Sequence, residues 1–316
     1  MAIIGNQTGP QSIGSSRDSS NGGPPSEVVR LGTAKGNWFR RVGWSHLVGV
    51  LALAFSLFPI LFVISAALNP VGTLSSSQLF PTDVGLDNFS AILAGSFPRW
   101  FLNTLVIGIL SAALSMFVSA CAAFAFSRFR FRGRRPGLLA VLLIQLFPQF
   151  LAIVALYLIF TRITELWPPI GLNSIWGLLL LYLGGALGVN TWLMKGFFDT
   201  IPKDLDESAK VDGATHAQVF FGIILPLVRP ILAVTGLLGF ITAVNEFLIA
   251  SVFLTDDSVK TAAVGLYGLV ADEQTRNSQF GLFAAGAVLL AVPTVALFQF
   301  LQRYIVGGLT AGAVKG

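Results

Sequence analysis

Residues 207–226 read ESAKVDGATHAQVFFGIILP, the most polar long interruption in the second half of an otherwise apolar chain. Helix signals frame it. Thr200 is placed as an N-cap, with Pro202 near the first turn and Asp204, Asp206 and Glu207 at the positive end of the helix dipole. Asp206 and Lys210 stand at i,i+4 in the favourable order. Leu205, Ser208, Ala209 and Asp212 share one face, kept low by the small residues. Gly213 ends this helix as a C′ glycine does. Thr215 and Gln218 have capping-box spacing and start a second helix. Phe220, Phe221 and Ile224 give it an apolar face, and Pro226 stops it. The stretch thus predicts two short helices meeting at Gly213. A solvated amphipathic loop is the alternative, and the end signals favour a docking element over it.

The chain around it is a membrane protein by composition. Its 316 residues are 54% hydrophobic and 11% charged, with a mean hydropathy of +0.77, where a soluble domain carries about 25% charged residues. Residues 1–36 are rich in Gly, Ser, Asn and Pro and lack apolar periodicity, which predicts a disordered tail. The first apolar run, 46–68, is too long for the core of a cleaved signal peptide. A span needs about 20 apolar residues, and six candidates follow, at about 46–68, 101–126, 138–160, 174–194, 228–254 and 281–302. Pro148 and Pro293 fall inside two of them and read as packing kinks.

Lys and Arg set the orientation. Sixteen of the twenty fall on one side, at the N-terminus, in the run Arg128 to Arg135, around the polar stretch and after the last span; Arg99, Arg162, Lys260 and Arg276 fall on the other. Both termini and the 207–226 stretch are therefore cytoplasmic. The arginine run is a stop-transfer collar, which removes the reason to read it as a nucleic-acid patch. The outer loops, 69–100 and 255–280, are long, and suit either a docking surface or a solvated connection. The first carries a short amphipathic piece near Asn88–Leu93.

Little here points to catalysis. There is no phosphate-binding GxxxxGK[ST] and no G-x-S-x-G. His46 and His216 lack metal-ligand spacing, so no metal is expected, and the lone Cys121 supports no disulfide. Glu246 is the only acid inside a span. A carboxylate there costs about 2.5–3.5 kcal/mol on insertion scales. Either it lines a path together with Asn245, or it is a structural acid bonded to a neighbouring helix. A single such acid is thin for an ion-coupled carrier.

The spacing of the opening stretch adds a resemblance. Glu207-Ser208-Ala209, three residues, Gly213, nine residues, then Ile223-x-Leu225-Pro226 resembles the EAA motif of ABC importer permeases, with Ser208 at a usual alanine. The ending QRYIVGGLTAGAVKG, 302–316, is similar to that of the smaller permease of maltose-type importers, with Tyr304 for tryptophan and Ala313 for glycine. Asn245-Glu246-Phe247 also matches sugar permeases of this branch. The likeness covers roughly 40–316.

The resemblance implies an all-α fold of the type I ABC importer permease, with six transmembrane helices and both termini in the cytoplasm. The permease domain would run over 37–316, with a coupling helix in 200–226 and a cytoplasmic tail at 303–316. The chain would sit in a bacterial inner membrane, in contact with lipid. It would pair with a second homologous permease, a dimer of ATPase subunits and an extracytoplasmic solute-binding protein, and would pass a sugar such as a maltodextrin. ATP and Mg²⁺ would belong to the ATPase, leaving no cofactor and no enzyme activity on this chain. Glu207, Ser208, Ala209, Asp212, Gly213, Ala214, Ile223, Leu225 and Pro226 would couple to the ATPase. Gly308, Leu309, Thr310, Gly312 and Lys315 would reach between the ATPases. Asn245 and Glu246 would lie on the path. Gly265, Leu266, Tyr267 and Gly268 would meet the binding protein from a loop. Other readings are a permease of the same superfamily for a non-sugar solute, and a carrier working alone.

Overall fold

The structure, a computed structural model, describes residues 38–313 except 147. The predicted tail 1–36 and Lys315 lie outside the described residues. Among the described residues the chain is helical, without strands. It divides into two units at Leu53/Ala54. The described part of the first is the opening half of helix α1 (Trp38–Leu68), where His46 Nδ1 meets the carbonyl of Val42 at 2.8 Å.

The second unit carries the remaining elements. The amphipathic piece predicted near 88–93 is helix α2 (Asp87–Ala94), followed by α3 (Phe97–Arg128). The third candidate span is not one kinked helix. It is α4 (Arg134–Leu146) and α5 (Gln149–Leu166), meeting at 98°. Pro148 has no N–H to donate and disfavours helical geometry just before it; its own backbone is extended, and Leu151 N–H bonds its carbonyl at 3.0 Å to start α5. Pro293 by contrast stays inside a continuous helix.

Helix α6 (Ile175–Phe198) bends by 48° near its glycine pair. A side chain inserted into a helical ladder bends it, and Gln145 does so here: its Nε2 donates to the carbonyl of Gly185 at 3.0 Å. Short helices α7 (Asp204–Val211), α8 (His216–Val219) and α9 (Leu225–Leu227) follow, then α10 (Arg229–Asn245). The fifth candidate span is likewise interrupted. It ends as α10 at Asn245 and resumes as α11 (Leu248–Phe253). Helices α12 (Ala262–Val270) and α13 (Glu273–Ala313) close the chain. At 1.5 Å per residue α13 is about 60 Å long, twice a hydrocarbon core of about 30 Å. Three helices are long and apolar enough to cross a membrane, and up to six spans result if each bent pair counts as one.

Helix α3 is the central post, packed against α6 and α10, with α12 and α10 against α13. At its Trp100 end the second outer loop is strapped down. Trp100 Nε1 donates to the Asp257 carbonyl at 3.0 Å, Asn103 Nδ2 to the carbonyls of Ser258 and Lys260, and Ala262 N–H to Thr104 Oγ1 at 2.7 Å. Asn173, the one non-glycine residue with positive φ (53°) among those described, accepts at Oδ1 from the N–H groups of Thr255 and Asp256 and from the Thr255 hydroxyl. The loop is therefore a fixed surface and not a free connection. Asn173→Ala removes that acceptor and leaves alanine in a left-handed conformation, which costs about 1–2 kcal/mol by itself. The expected outcome is a lower midpoint of thermal unfolding in detergent with helical content unchanged by circular dichroism.

Candidate functional site

The two-helix element predicted at 207–226 is present. Helix α7 closes on Gly213, whose φ is +85°. Gly213 N–H bonds the Lys210 carbonyl at 3.0 Å and Ala214 N–H the Ala209 carbonyl at 2.9 Å, the paired bonds of a Schellman motif. Thr215 and Gln218 then form a complete capping box, each side chain bonded to the other's backbone N–H. Three details differ from the sequence reading. Lys203, not Thr200, precedes the first turn; the Thr200 hydroxyl donates instead to the Phe197 carbonyl. Pro226 does not stop the second helix. It forces a π turn over Phe220–Ile224, because it offers no N–H to the Gly222 carbonyl, and the chain then turns by 80° at Val228. Ala209 and Ala214 face inward, against a cluster of Ala123, Phe124, Met194, Phe198, Val219 and Ile224. The outward face consists of Leu205, Glu207, Ser208, Val211 and Asp212, with Val211 87% exposed. Phe220 is buried as predicted, Phe221 is exposed, and Ile223, Leu225 and Pro226 are half-buried.

What anchors the element was missed in the sequence. Arg128, at the end of α3, reaches Asp206 in α7 at 2.5 Å, and both side chains are nearly excluded from solvent, at 5% and 6% exposure. Arg128 Nη2 also donates to the Ile201 carbonyl at 3.1 Å. Next to it, the Ser127 hydroxyl and Lys195 both donate to Asp199 at the end of α6. Burial alone pushes the Asp199 carboxyl up; the bonds from Lys195 and Ser127 outweigh it and hold the group below its usual range. Rings continue the contact. Phe129 meets His216 at 5.2 Å and Phe124 meets Phe220 at 5.0 Å. The sequence reading put Ala209 on the docking face; with Ala209 inward, Asp206, three residues before it, shares the buried face, where a charge requires a partner.

A second feature lies mid-bundle. Where α3, α6 and α10 meet, a cavity of about 370 Å³ is lined by polar residues, among them Ser111, Ser115, Tyr182, Asn190, Thr242 and Glu246. Glu246 stands in the break between α10 and α11. Its carboxylate accepts from the N–H groups of Ile249 and Ala250, at 2.7 and 2.9 Å, and from the Tyr182 hydroxyl at 2.6 Å. The acid thus serves as the cap of α11, where the helix dipole favours an anion, and also forms part of the cavity wall. Of the two readings the sequence left open, the bond to a neighbouring helix is present, and the carboxylate also borders the cavity. Asn245 is not brought to the cavity; its Nδ2 turns back to the Ile241 carbonyl.

The remaining sequence-predicted residues are placed as follows. Gly265, Leu266, Tyr267 and Gly268 lie on helix α12 and not in a loop. Gly265 packs against the Trp100 ring with no room for a β-carbon, and Leu266 is buried. Tyr267, 53% exposed, stacks edge-on against Phe247, and Gly268 is exposed. Gly308, Leu309, Thr310 and Gly312 belong to the last turns of α13, so the predicted tail continues as helix. Among the described residues no group of His, Cys, Asp or Glu is arranged to hold a metal.

Comparison with known proteins gives the class. The family described as "Binding-protein-dependent transport system inner membrane component" matches residues 116–310. The chain belongs to this family of importer permeases. It is 39% identical over 280 residues to the galactooligosaccharides transport system permease protein GanQ of Bacillus subtilis, covering 87% of this chain and 96% of the relative. It is 38% identical over 286 residues to the maltose/maltodextrin permease MalG of Yersinia pestis, covering 86% and 93%. The maltodextrin permease MdxG of Bacillus subtilis is 38% identical over 262 residues, covering 82% and 91%. In fold it matches a chain of a bacterial ABC transporter that imports the polysaccharide alginate, with a TM-score of 0.72 at 21% identity over 85% of this chain and 98% of that one.

Breaking a buried ion pair from one side costs about 3–5 kcal/mol, because the other charge is stranded. Asp206→Ala is therefore expected to release α7 and raise protease cleavage in 204–215, while Arg128→Met with Asp206→Leu restores resistance, read by limited proteolysis. Glu246→Gln keeps only one acceptor oxygen for three donors and is expected to cost about 1–3 kcal/mol, read as a lower thermal midpoint in detergent.

Proposed function

We propose that this chain is one of two membrane subunits of an importer for oligosaccharides of the maltodextrin or galacto-oligosaccharide kind. The observation that carries the reading is the exposed, Schellman-capped helix at EAA spacing, in a chain whose relatives are named as sugar permeases. In this reading the chain crosses the bacterial inner membrane six times with both termini in the cytoplasm. The outward face of α7 docks on a separate ATPase, which carries the ATP and Mg²⁺. A second, homologous permease completes the path, and a solute-binding protein delivers sugar at the strapped loop near Tyr267.

Coupling is then a shift between two states, and the docking must differ in free energy between them. Glu207, Ser208, Val211 and Asp212 supply the contact, and the motif spacing supports the same assignment for Gly213, Ile223, Leu225 and Pro226. Gly213 and the Arg128–Asp206 pair hold the contact in place. The C-terminal sequence resemblance supports assigning Gly308–Gly312, the helical end of the chain, to contact with the ATPases.

Gly213→Glu forces a side chain into φ +85° with open space around it, so the cost is conformational, about 1–2 kcal/mol. The variant is expected to insert and assemble, yet to lose ATP-driven sugar uptake in proteoliposomes. Normal uptake by an assembled Gly213→Glu complex would refute the coupling role. Deleting Leu309–Gly316 is expected to leave insertion intact and to lower sugar uptake per ATP hydrolysed.

A further inference from the structure

A second cavity, of about 440 Å³, runs where α3, α10 and the later turns of α13 meet. It differs in kind from the polar one. Ala112, Ala113, Ala233 and Gly236 keep it open, and Met116 and Leu297 flank it. Its walls are apolar except at one end, where Arg229 and Tyr304 stand. From that end the groove follows α10 as far as Phe240, about 16 Å at 1.5 Å per residue. That is about half of a hydrocarbon core of about 30 Å, the depth of one leaflet.

The charged end calls for an anion. Arg229 is exposed and opens α10, where the helix dipole favours negative charge. Tyr304 brings a second guanidinium to the same place: Arg303 Nη2 donates to its hydroxyl at 3.1 Å. The Arg303 guanidinium also lies over the Phe300 and Tyr304 rings, 4.7 and 4.8 Å from their centres. Among the described residues the ion pairs involve Arg128, Arg162, Lys195 and Lys260, so neither Arg229 nor Arg303 has a carboxylate. No Asp or Glu lines the groove.

The occupant therefore has a negative head and a long apolar tail. An oligosaccharide offers no charge to the arginines and too many hydroxyls to the apolar walls. A small soluble anion leaves the apolar length unfilled. An anionic phospholipid matches both halves, and basic pockets between membrane helices on the cytoplasmic side suit such head groups. A tyrosine at the end of the span fits the same boundary between head groups and hydrocarbon.

We propose that the groove holds one acyl chain of an anionic phospholipid from the cytoplasmic leaflet, with its phosphate bound by Arg229 and Arg303. The choice of leaflet rests on the orientation in the importer reading above; the chemistry of the ligand comes from the groove. Such a lipid ties the start of α10, directly after the α7–α9 element, to α13.

The test uses the importer purified with its partner subunits in detergent holding equal amounts of phosphatidylglycerol and phosphatidylcholine. Native mass spectrometry counts the lipids retained. The unsubstituted complex is expected to select phosphatidylglycerol. Arg229→Gln and Arg303→Gln are each expected to lower that preference about five-fold, the share of one basic residue near anionic head groups. Ala233→Phe fills the groove and is expected to lower retention of both lipids. A preference within about two-fold of the unsubstituted complex in the double arginine variant overturns the proposal. Should Ala233→Phe not assemble, the arginine variants decide, since both side chains are exposed. A benzophenone amino acid in place of Leu297 is expected to label phospholipid on illumination; labelling of the second permease instead overturns the proposal. Sugar-stimulated ATP hydrolysis by the unsubstituted complex tests the importer reading separately. A complex that shows it yet selects no anionic lipid overturns the lipid site alone.

Discussion

The ion pair between Arg128 and Asp206 is the interaction on which the working end of the molecule depends. Two charges taken out of water are tolerated only together. Each therefore fixes the place of the other: Asp206 cannot leave without stranding the guanidinium, and α7 cannot move without α3. The apolar contacts of Ala209 and Ala214 are too small to impose that constraint alone. Ser127 extends it to α6 through Asp199, one residue along from Arg128. Helix α3 then joins every functional region described. Its last residues hold the two-helix element of α7 and α8, Ser111 and Ser115 line the cavity, and Trp100, Asn103 and Thr104 strap the 255–262 segment.

The few polar side chains inside the apolar bundle follow one rule. Backbone groups freed at a break must be satisfied within the protein, because lipid offers no partner. Glu246 caps the restart of a helix, Gln145 bonds the carbonyl at the bend of α6, and Asn173 gathers three donors at a tight corner. At these three places the freed backbone groups meet a polar side chain. Ser111 and Ser119 differ: both sit within the unbroken helix α3 with hydroxyls that bond no backbone group, and Ser111 borders the cavity.

Much of the fold is legible in residue order. The capping box at Thr215–Gln218 and the left-handed Gly213 are local chemistry, set within a few residues, and they stand where the sequence reading put them. Helix existence was readable from apolar length, yet continuity was not. The interruption at Pro148 follows from local proline chemistry and that at Glu246 is held by Tyr182 across the bundle, and hydropathy averages over both. Arg128 was misjudged for a related reason: five arginines within residues 128–135 look alike to a charge count, and only packing selects the one that is buried.

The sequence by itself determined that this is an apolar, helical chain, and how its polar element turns at Gly213 and is capped at Thr215, because these depend on apolar length and on contacts within one or two turns. Tertiary structure alone decided which face of α7 looks outward, that Glu246 bonds to Tyr182 64 residues away, and that hydroxyls from three helices meet around one cavity. Those outcomes depend on which surfaces of distant helices come into contact, and no local spacing encodes that.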